Sequence, residues 1–154
     1  TPKHGEVDVI TVHLSLSKTA RDKSVRALWE YIRTNATTNT AILLGDLNDE
    51  PQGEAMKYLA ERMEDTWLWF HDEPEPRSKD PSVRQNAFTF PSDDPKKRID
   101  FIFAHQLSKD AAEKIEVLGQ DASEETRGEP GHGMLDGNSP MWASDHRAVM
   151  LTLV

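Results

Sequence analysis

The feature that most constrains the fold of this chain is an alternation of strand-like and helix-like apolar segments. Residues 7–14 are rich in β-branched side chains, which predicts a strand, and the apolar run 41–44 before Gly45 is typical of a buried strand. Between them, apolar side chains at i, i+3, i+4 and i+7 from Val25 predict an amphipathic helix over about 20–34. Two strands joined by a helical crossover become parallel neighbours in one sheet. The chain is therefore predicted to be an α/β protein.

The rest of the chain extends this pattern. Helical spacing returns over residues 56–63. Four further segments have the composition of strands, the first two as a pair joined by a turn: 88–90, 99–104, 114–118 and 147–154. The Pro-rich, charged residues 71–86 and the Gly-, Pro- and Glu-rich residues 121–143 predict long loops. No internal repeat is present, and the length suffices for one ordinary domain with its own core.

Polar side chains stand where the predicted strands begin or end. His13 and Asp46 close the first two strands, and parallel strands would bring both to the sheet edge where α/β proteins bind ligands. Asp100 opens its predicted strand, while Asp145 and His146 directly precede the last one. If these strands run antiparallel to the first pair, their starts reach the same edge. One consistent topology therefore gathers six polar residues: His13, Asp46, Asn48, Asp100, Asp145 and His146. Oxygen and imidazole ligands without thiolate suit a hard cation such as Mg²⁺ or Mn²⁺.

The amino-acid composition argues against several classes of function. A formal net charge of -9 repels nucleic-acid backbones at long range and argues against a general, electrostatically held nucleic-acid binder. A nuclease remains compatible with this charge, because a bound divalent cation reverses the local sign. The chain contains no cysteine, which excludes thiolate chemistry and disulfides. No apolar run approaches the roughly 20 residues of a transmembrane helix, so no membrane span is expected.

Each motif taken alone also has a purely structural interpretation. A histidine that ends a strand, such as His13, commonly serves packing and hydrogen bonding. Residues 45–48 and 144–146 have the composition of turns, since Asp, Asn and Ser side chains bond to nearby backbone. Residues 96–98 are typical of a solvated basic turn, with a phosphate contact as the alternative. The combination of these motifs, in this order, is more specific than any one of them.

That combination resembles the endonuclease/exonuclease/phosphatase (DNase I-like) superfamily. Its members include DNase I, abasic-site endonucleases, neutral sphingomyelinases and inositol phosphatases. The matching segments occur in the family's order across nearly the whole chain: 12–14, 44–48, 98–103 and 144–146. The resemblance implies a divalent-metal-dependent phosphoester hydrolase. It also implies that residues 1–154 are the C-terminal half of the family's domain. Their expected α/β fold is half of the DNase I-like four-layer sandwich, a mixed sheet with helices on its outer face.

The resemblance further implies roles for individual residues. Asp46 would orient or deprotonate the attacking water, and Asn48 would help to hold that water or the phosphate. His146 would contact the scissile phosphate, with its tautomer and charge fixed by a hydrogen bond to Asp100. His13 would stabilise the phosphate or help to protonate the leaving group.

The implied metal site is incomplete in this sequence. Asp145 and Asp46 would contribute to a site for Mg²⁺ or Mn²⁺. Family members begin, however, with strands that carry an Asn and then a Glu, the main metal ligand, and neither segment is present. Thr1 falls roughly where the second half of the full fold begins. We therefore expect an exposed apolar sheet face, covered by a second copy of this chain or by a separate N-terminal half.

Two other interpretations remain open at this level. The chain could be a catalytically inactive fragment or a binding module that keeps the scaffold, and titration with divalent cations would distinguish it from an intact site. An unrelated α/β phosphate-binding domain is the third interpretation, although no Gly-rich phosphate loop of the Gly-x-x-x-x-Gly-Lys type occurs. The substrate, a phosphoester of unspecified class, is not indicated by any motif.

Overall fold

The computed structural model describes residues 5–71, 87–119 and 144–154. Of the predicted loops 71–86 and 121–143, all but residue 71 lies outside these ranges. The helices and strands run in the order β1 (Asp8–His13), α1 (Lys18–Asn35), β2 (Ala41–Asp46), α2 (Glu54–Ala60), β3 (Glu64–Asp65), β4 (Asp100–His105), β5 (Ala112–Leu118) and β6 (Ala148–Leu153). Short 3-10 helices follow β3 and precede β5, at Thr66–Trp69 and Lys109–Ala111.

Four strands form a mixed sheet in the order β1-β2-β4-β3. β1 and β2 are parallel, as predicted, and β4 runs antiparallel to both β2 and β3. The predicted strand pair of 88–90 with 99–104 is wrong. β2 pairs along one side of β4, and on the other side β3 pairs only with Phe103 and Ala104. The earlier segment meets the start of β4 through the Thr89 side chain, whose Oγ1 accepts from the N–H groups of Ile99 and Asp100, and its backbone forms only an isolated β-bridge between Phe90 and Lys97.

Both helices pack on one face of this sheet. The buried stripe of α1 includes Val25 and Ile32, and α2 buries Met56 and Leu59 against the same cluster. Leu43 of β2 is fully buried beneath them. Helical spacing of apolar residues produces such a stripe, because positions three and four apart share one face of a helix. The predicted mixed sheet with helices on one face is confirmed.

The opposite face is covered differently from the expectation. β6 pairs with β5 in a separate two-stranded antiparallel sheet instead of joining the strands that carry His13 and Asp46. Apolar side chains of β6 pack against Ile42 and Ile102, so this small sheet covers part of the larger one. It leaves Val9 of β1 64% exposed. None of the helices within the described ranges is long and apolar enough to cross a membrane.

Candidate active site

Three acidic or imidazole side chains lie in a row along one edge of the four-stranded sheet. His13 is the register partner of Asp46 across the parallel pair β1–β2, and Asp46 is the register partner of Asp100 across the antiparallel pair β2–β4. β1 and β2 end at this edge, whereas β4 begins there. Parallel and antiparallel pairing together therefore bring residues distant in sequence to adjacent positions, as the strand-end pattern predicted.

The end of β2 is shaped by a glycine and an asparagine. Gly45 has φ +136°, and a Cβ at this position would lie 1.9 Å from the carbonyl oxygen of Val12, so β1 and β2 approach closely only because Gly45 lacks a side chain. After Asp46, the chain turns at Asn48, which has φ +51°. The backbone N–H of Asn48 donates to Oδ1 of Asp46 (2.8 Å), and its Nδ2 donates to the carbonyl oxygen of Leu14 (2.8 Å). These bonds fix the Asp46 carboxylate and the Asn48 amide relative to β1.

His146 completes the site. Its Nδ1 lies 2.9 Å from Oδ2 of Asp100 and its Nε2 lies 3.7 Å from Oδ2 of Asp46. Partial burial, the largest single effect, acts to lower the pKa of His146. The hydrogen bond with Asp100 and the charges of Asp100, Asp46 and Asp145 act in the opposite direction, and together they raise that pKa above its ordinary value of 6.5. The arrangement therefore favours an imidazolium with Nδ1–H directed to Asp100.

Hydrogen bonds from another segment set the position of this histidine, since β6 does not pair with β4. The N–H of Arg147 donates to the carbonyl oxygen of Thr89 (2.7 Å), and the N–H of Ser92 donates to that of Asp145 (2.8 Å). Thr89 Oγ1 in turn accepts from the N–H of Asp100 (3.4 Å). Thr89 and Ser92 are buried. Residues 89–92 thus tie the segment before β6 to the start of β4, which accounts for the contact between the histidine and Asp100.

All six residues predicted from the sequence line one open cleft of about 780 Å³. His13 is the most peripheral, with its Nε2 3.2 Å from Oδ2 of Asp46 and its side chain 75% exposed. Asp145 is also exposed. The cleft has seven further lining residues: Leu16, Arg21, Asp49, Glu50, Phe90, Lys97 and Ile99.

None of these seven side chains was predicted as a site residue, and Phe90 and Arg21 show why. The ring of Phe90 lies 4.9 Å from the ring of His146, and nothing in the sequence distinguished it from a strand residue. Arg21 is nearly buried at the start of α1. A positive charge in the first turn of a helix opposes the helix dipole, and that signal was present in the sequence. Lys97 lines the cleft and belongs to the basic turn for which a phosphate contact was the alternative.

The donor set fits a hard divalent cation in part. Among the described residues, Asp46, Asp100 and His146 each offer a ligand atom within 4.8 Å of the others. Asp145 lies beside this group rather than in it. An imidazolium cannot bind a metal, and Asp100 already accepts from the histidine. The Asp46 carboxylate, with Asp145 nearby, is therefore the hard oxygen donor that suits Mg²⁺ or Mn²⁺.

Comparison with known proteins bears on the family and the fold of this chain. A profile of the Endonuclease/Exonuclease/phosphatase family matches residues 12–146. No curated protein matches the sequence significantly. Among solved structures, a mannosyl-6-phosphatase from Bacteroides thetaiotaomicron aligns with TM-score 0.63 at 19% identity, over 95% of this chain and 50% of that one. Zebrafish (D. rerio) TDP2, humanized by 14 mutations, aligns with TM-score 0.61 at 15% identity, over 93% and 53%. A protein of unknown function from Enterococcus faecalis V583 aligns with TM-score 0.58 at 19% identity, over 95% and 50%.

The structural likenesses are at low sequence identity and establish the fold. The chain spans about half the length of the solved structures that it matches. The family profile covers most of the chain and includes every residue of the cleft. This chain belongs to the endonuclease/exonuclease/phosphatase family.

Proposed function

We propose that this chain supplies the water-activating and phosphate-binding side of a divalent-metal-dependent phosphoester hydrolase. The observation that supports it most is the set of contacts around His146. Nδ1 is bonded to Asp100 at 2.9 Å, while Nε2 faces Asp46 at 3.7 Å across an open cleft. A charged donor and a carboxylate base, held side by side, are what in-line hydrolysis of a phosphoester requires.

Asp46 is the base in this mechanism. Its carboxylate orients a water molecule and accepts a proton as the water oxygen bonds to phosphorus. One carboxylate oxygen is engaged by the N–H of Asn48, which leaves the other to face the two imidazoles. Because Nδ2 of Asn48 donates to the Leu14 carbonyl, the amide oxygen of Asn48 remains as an acceptor for the water.

His146 and Asp100 act on the phosphate. The imidazolium donates to a non-bridging oxygen and stabilises negative charge that grows there in the transition state. Asp100 keeps the ring protonated and oriented through the Nδ1 hydrogen bond. As the bond between phosphorus and the ester oxygen breaks, His13 donates a proton to the leaving oxygen. The products are an alcohol and a phosphate with one ester bond fewer.

Asp46 and Asp145 would hold the Mg²⁺ or Mn²⁺ ion. When bound, such an ion neutralises charge on the phosphoryl oxygens. The substrate class is open. The matched structures include a sugar phosphatase and a TDP2 complex with single-stranded DNA product, whereas the net charge of -9 here favours a small phosphoester over a nucleic acid.

The exposed sheet face supports a further proposal about partners. Val9 is 64% exposed on the edge strand β1, although its register partner Ile42 on β2 is buried. The β5–β6 sheet covers the part of that face formed by β2 and β4 and leaves Val9 exposed. Apolar surface of this kind is stabilised by burial at roughly 25 cal/mol per Å². We propose that a second copy of the chain, or a separate N-terminal half, packs there.

The decisive experiment is hydrolysis of a bis-aryl phosphodiester by the gene product that contains this chain, with and without Mg²⁺. Asp46→Ala and His146→Ala should each lower kcat by about 10²- to 10⁴-fold. Asp110→Ala, which removes an exposed carboxylate away from the cleft, is the matched control and should retain full activity. Undiminished turnover in both cleft variants would disprove the assignment.

The second candidate is a scaffold that binds a divalent cation without turnover, and the half-length coverage of the matched structures favours considering it. A Mg²⁺ titration followed by both Tm and hydrolysis separates the two. A bound cation should raise Tm in either case. At a cation concentration of 100 times Kd it adds about 2.7 kcal/mol to the free energy of unfolding. Stabilisation without hydrolysis would support the scaffold.

A further inference from the structure

The first turn of α1 carries a guanidinium that is almost buried, with its side chain 11% exposed. Nη1 of Arg21 donates to the carbonyl oxygens of Leu16 (2.7 Å) and Ser15 (3.2 Å), in the loop that joins β1 to α1. Nη2 lies 3.5 Å from Oδ1 of Asp49, in the loop that joins β2 to α2. One side chain therefore connects the two loops that border the active-site cleft.

The Asp49 carboxylate is held from its other side as well. Its Oδ1 accepts from the N–H of Glu50 (3.2 Å). A Cβ at Gly53 would lie only 2.1 to 2.3 Å from the carboxylate atoms, so the glycine that precedes α2 is what leaves room for them. The Asp49 side chain is 15% exposed. Its position is thus fixed by both the start of α2 and Arg21.

Asn48 lies between Asp46 and Asp49, and in the proposed reaction its amide oxygen accepts a hydrogen bond from the attacking water. Its Nδ2 donates to the carbonyl oxygen of Leu14, and Arg21 binds the next two carbonyls of the same loop. Three consecutive carbonyls are therefore held by two side chains, and Asp49 links these side chains through the backbone. A displacement of this loop would move the Asn48 amide relative to the Asp46 carboxylate.

We propose that Arg21 is a positioning residue for phosphoester hydrolysis, acting through Asp49 and the 15–16 carbonyls to hold the Asn48 amide beside Asp46. The catalytic part rests on the proposed function. Helix stability does not account for Arg21, because a cation in the first turn opposes the helix dipole. The planar, forked guanidinium reaches both loops at once, which the single ammonium group of a lysine cannot do in the same way.

The test compares Arg21→Met, Arg21→Lys and Asp49→Asn with Arg33→Met. Arg33 lies on the same helix and forms an exposed ion pair with Glu30, so it is the matched control. Arg21→Met and Asp49→Asn should each lower kcat by about 10²-fold with little change in KM, as expected for an active-site group displaced by about 1 Å. Arg21→Lys should recover part of the loss. The double variant should be no worse than either single one, because both remove the same connection.

A second measurement, by NMR, reports directly on the position of the Asn48 side-chain amide. The side-chain amide of Asn48, assigned through its loss in Asn48→Asp, should shift in ¹⁵N–¹H spectra of Arg21→Met and Asp49→Asn and stay fixed in Arg33→Met. Variants that lower Tm but leave both kcat and this resonance unchanged would overturn the inference and leave Arg21 a structural role. If neither the unsubstituted protein nor any variant hydrolyses phosphoesters, the proposed function fails. The shift of the Asn48 amide resonance still tests whether Arg21 positions that amide. Should Arg21→Met not fold, Arg21→Lys and Asp49→Asn carry the same test.

Discussion

Replacement of Gly45 by alanine tests how the end of β2 is built. The alanine would keep φ near +136°, a conformation that costs a residue with a side chain about 1–3 kcal/mol. Its Cβ would also lie 1.9 Å from the carbonyl oxygen and 3.0 Å from the carbonyl carbon of Val12. Since both are backbone atoms, no rotamer change relieves the contact, and β1 must move by more than 1 Å. We expect a total loss of at least about 3 kcal/mol, or about 6–12 °C in Tm for a chain of this length.

Gly119→Ala is the matched control. Gly119 has φ +80°, and a Cβ there would meet nothing within 4 Å, so the substitution has the conformational cost without the steric one. Urea unfolding followed by circular dichroism gives the free energy of unfolding of each variant. The difference between the two losses is the steric contribution at Gly45. Equal losses for the two variants would refute the close approach of β1 and β2. Because Val12 directly precedes His13, the folded Gly45→Ala protein should also lose activity.

Three further predictions follow from the site and its surroundings. Asp100→Asn should lower the pKa of His146, measured by NMR without divalent cations. Because the folded-state pKa is raised above its ordinary value of 6.5, the stability from this pair is complete below that value and is lost as the pH rises through the folded-state pKa, so the Tm deficit of Asp100→Asn should be larger at about pH 5.5 than at about pH 9. Arg98→Met should cost about 3–5 kcal/mol in chemical unfolding by leaving the buried Asp65 carboxylate without its partner, and adding Asp65→Asn should restore part of this loss. Light scattering across a dilution series should detect a dimer that Val9→Asp dissociates, whereas a monomer at every concentration would contradict pairing through that sheet face.

Local sequence signals were sufficient for much of the fold. The β-branched run 7–14 and the apolar run 41–44 formed strands, and the helical spacing from Val25 formed α1, because each pattern reflects the burial of one or both faces of an element. The same reasoning placed His13 and Asp46 at one edge, since parallel strands joined by a helix end together. Short-range periodicity was less informative for 88–90, which meets the start of β4 through the Thr89 side chain and forms only an isolated backbone bridge at Phe90.

The convergence of the candidate residues in one cleft was predicted, as was the hydrogen bond between Asp100 and His146, but the contacts that hold these residues together were not. Strand-end positions and motif order identified His13, Asp46, Asn48, Asp100, Asp145 and His146, and all six line the cleft. Their relation to one another depends on contacts between segments far apart in sequence. The hydrogen bond between His146 and Asp100 spans 46 residues and relies on buried Thr89, which no periodicity marks as important.

The sequence by itself determined which chemical groups reach the cleft and which elements carry them, because the patterns that specify strands and helices lie in neighbouring residues. Tertiary structure decided the pairing of β6 with β5, and the hydrogen bonds of residues 89–92 that nevertheless bring His146 to Asp100. It also decided the burial of Arg21 between two loops. These features arise from long-range packing and hydrogen bonding, whose partners are chosen only when the whole chain has folded.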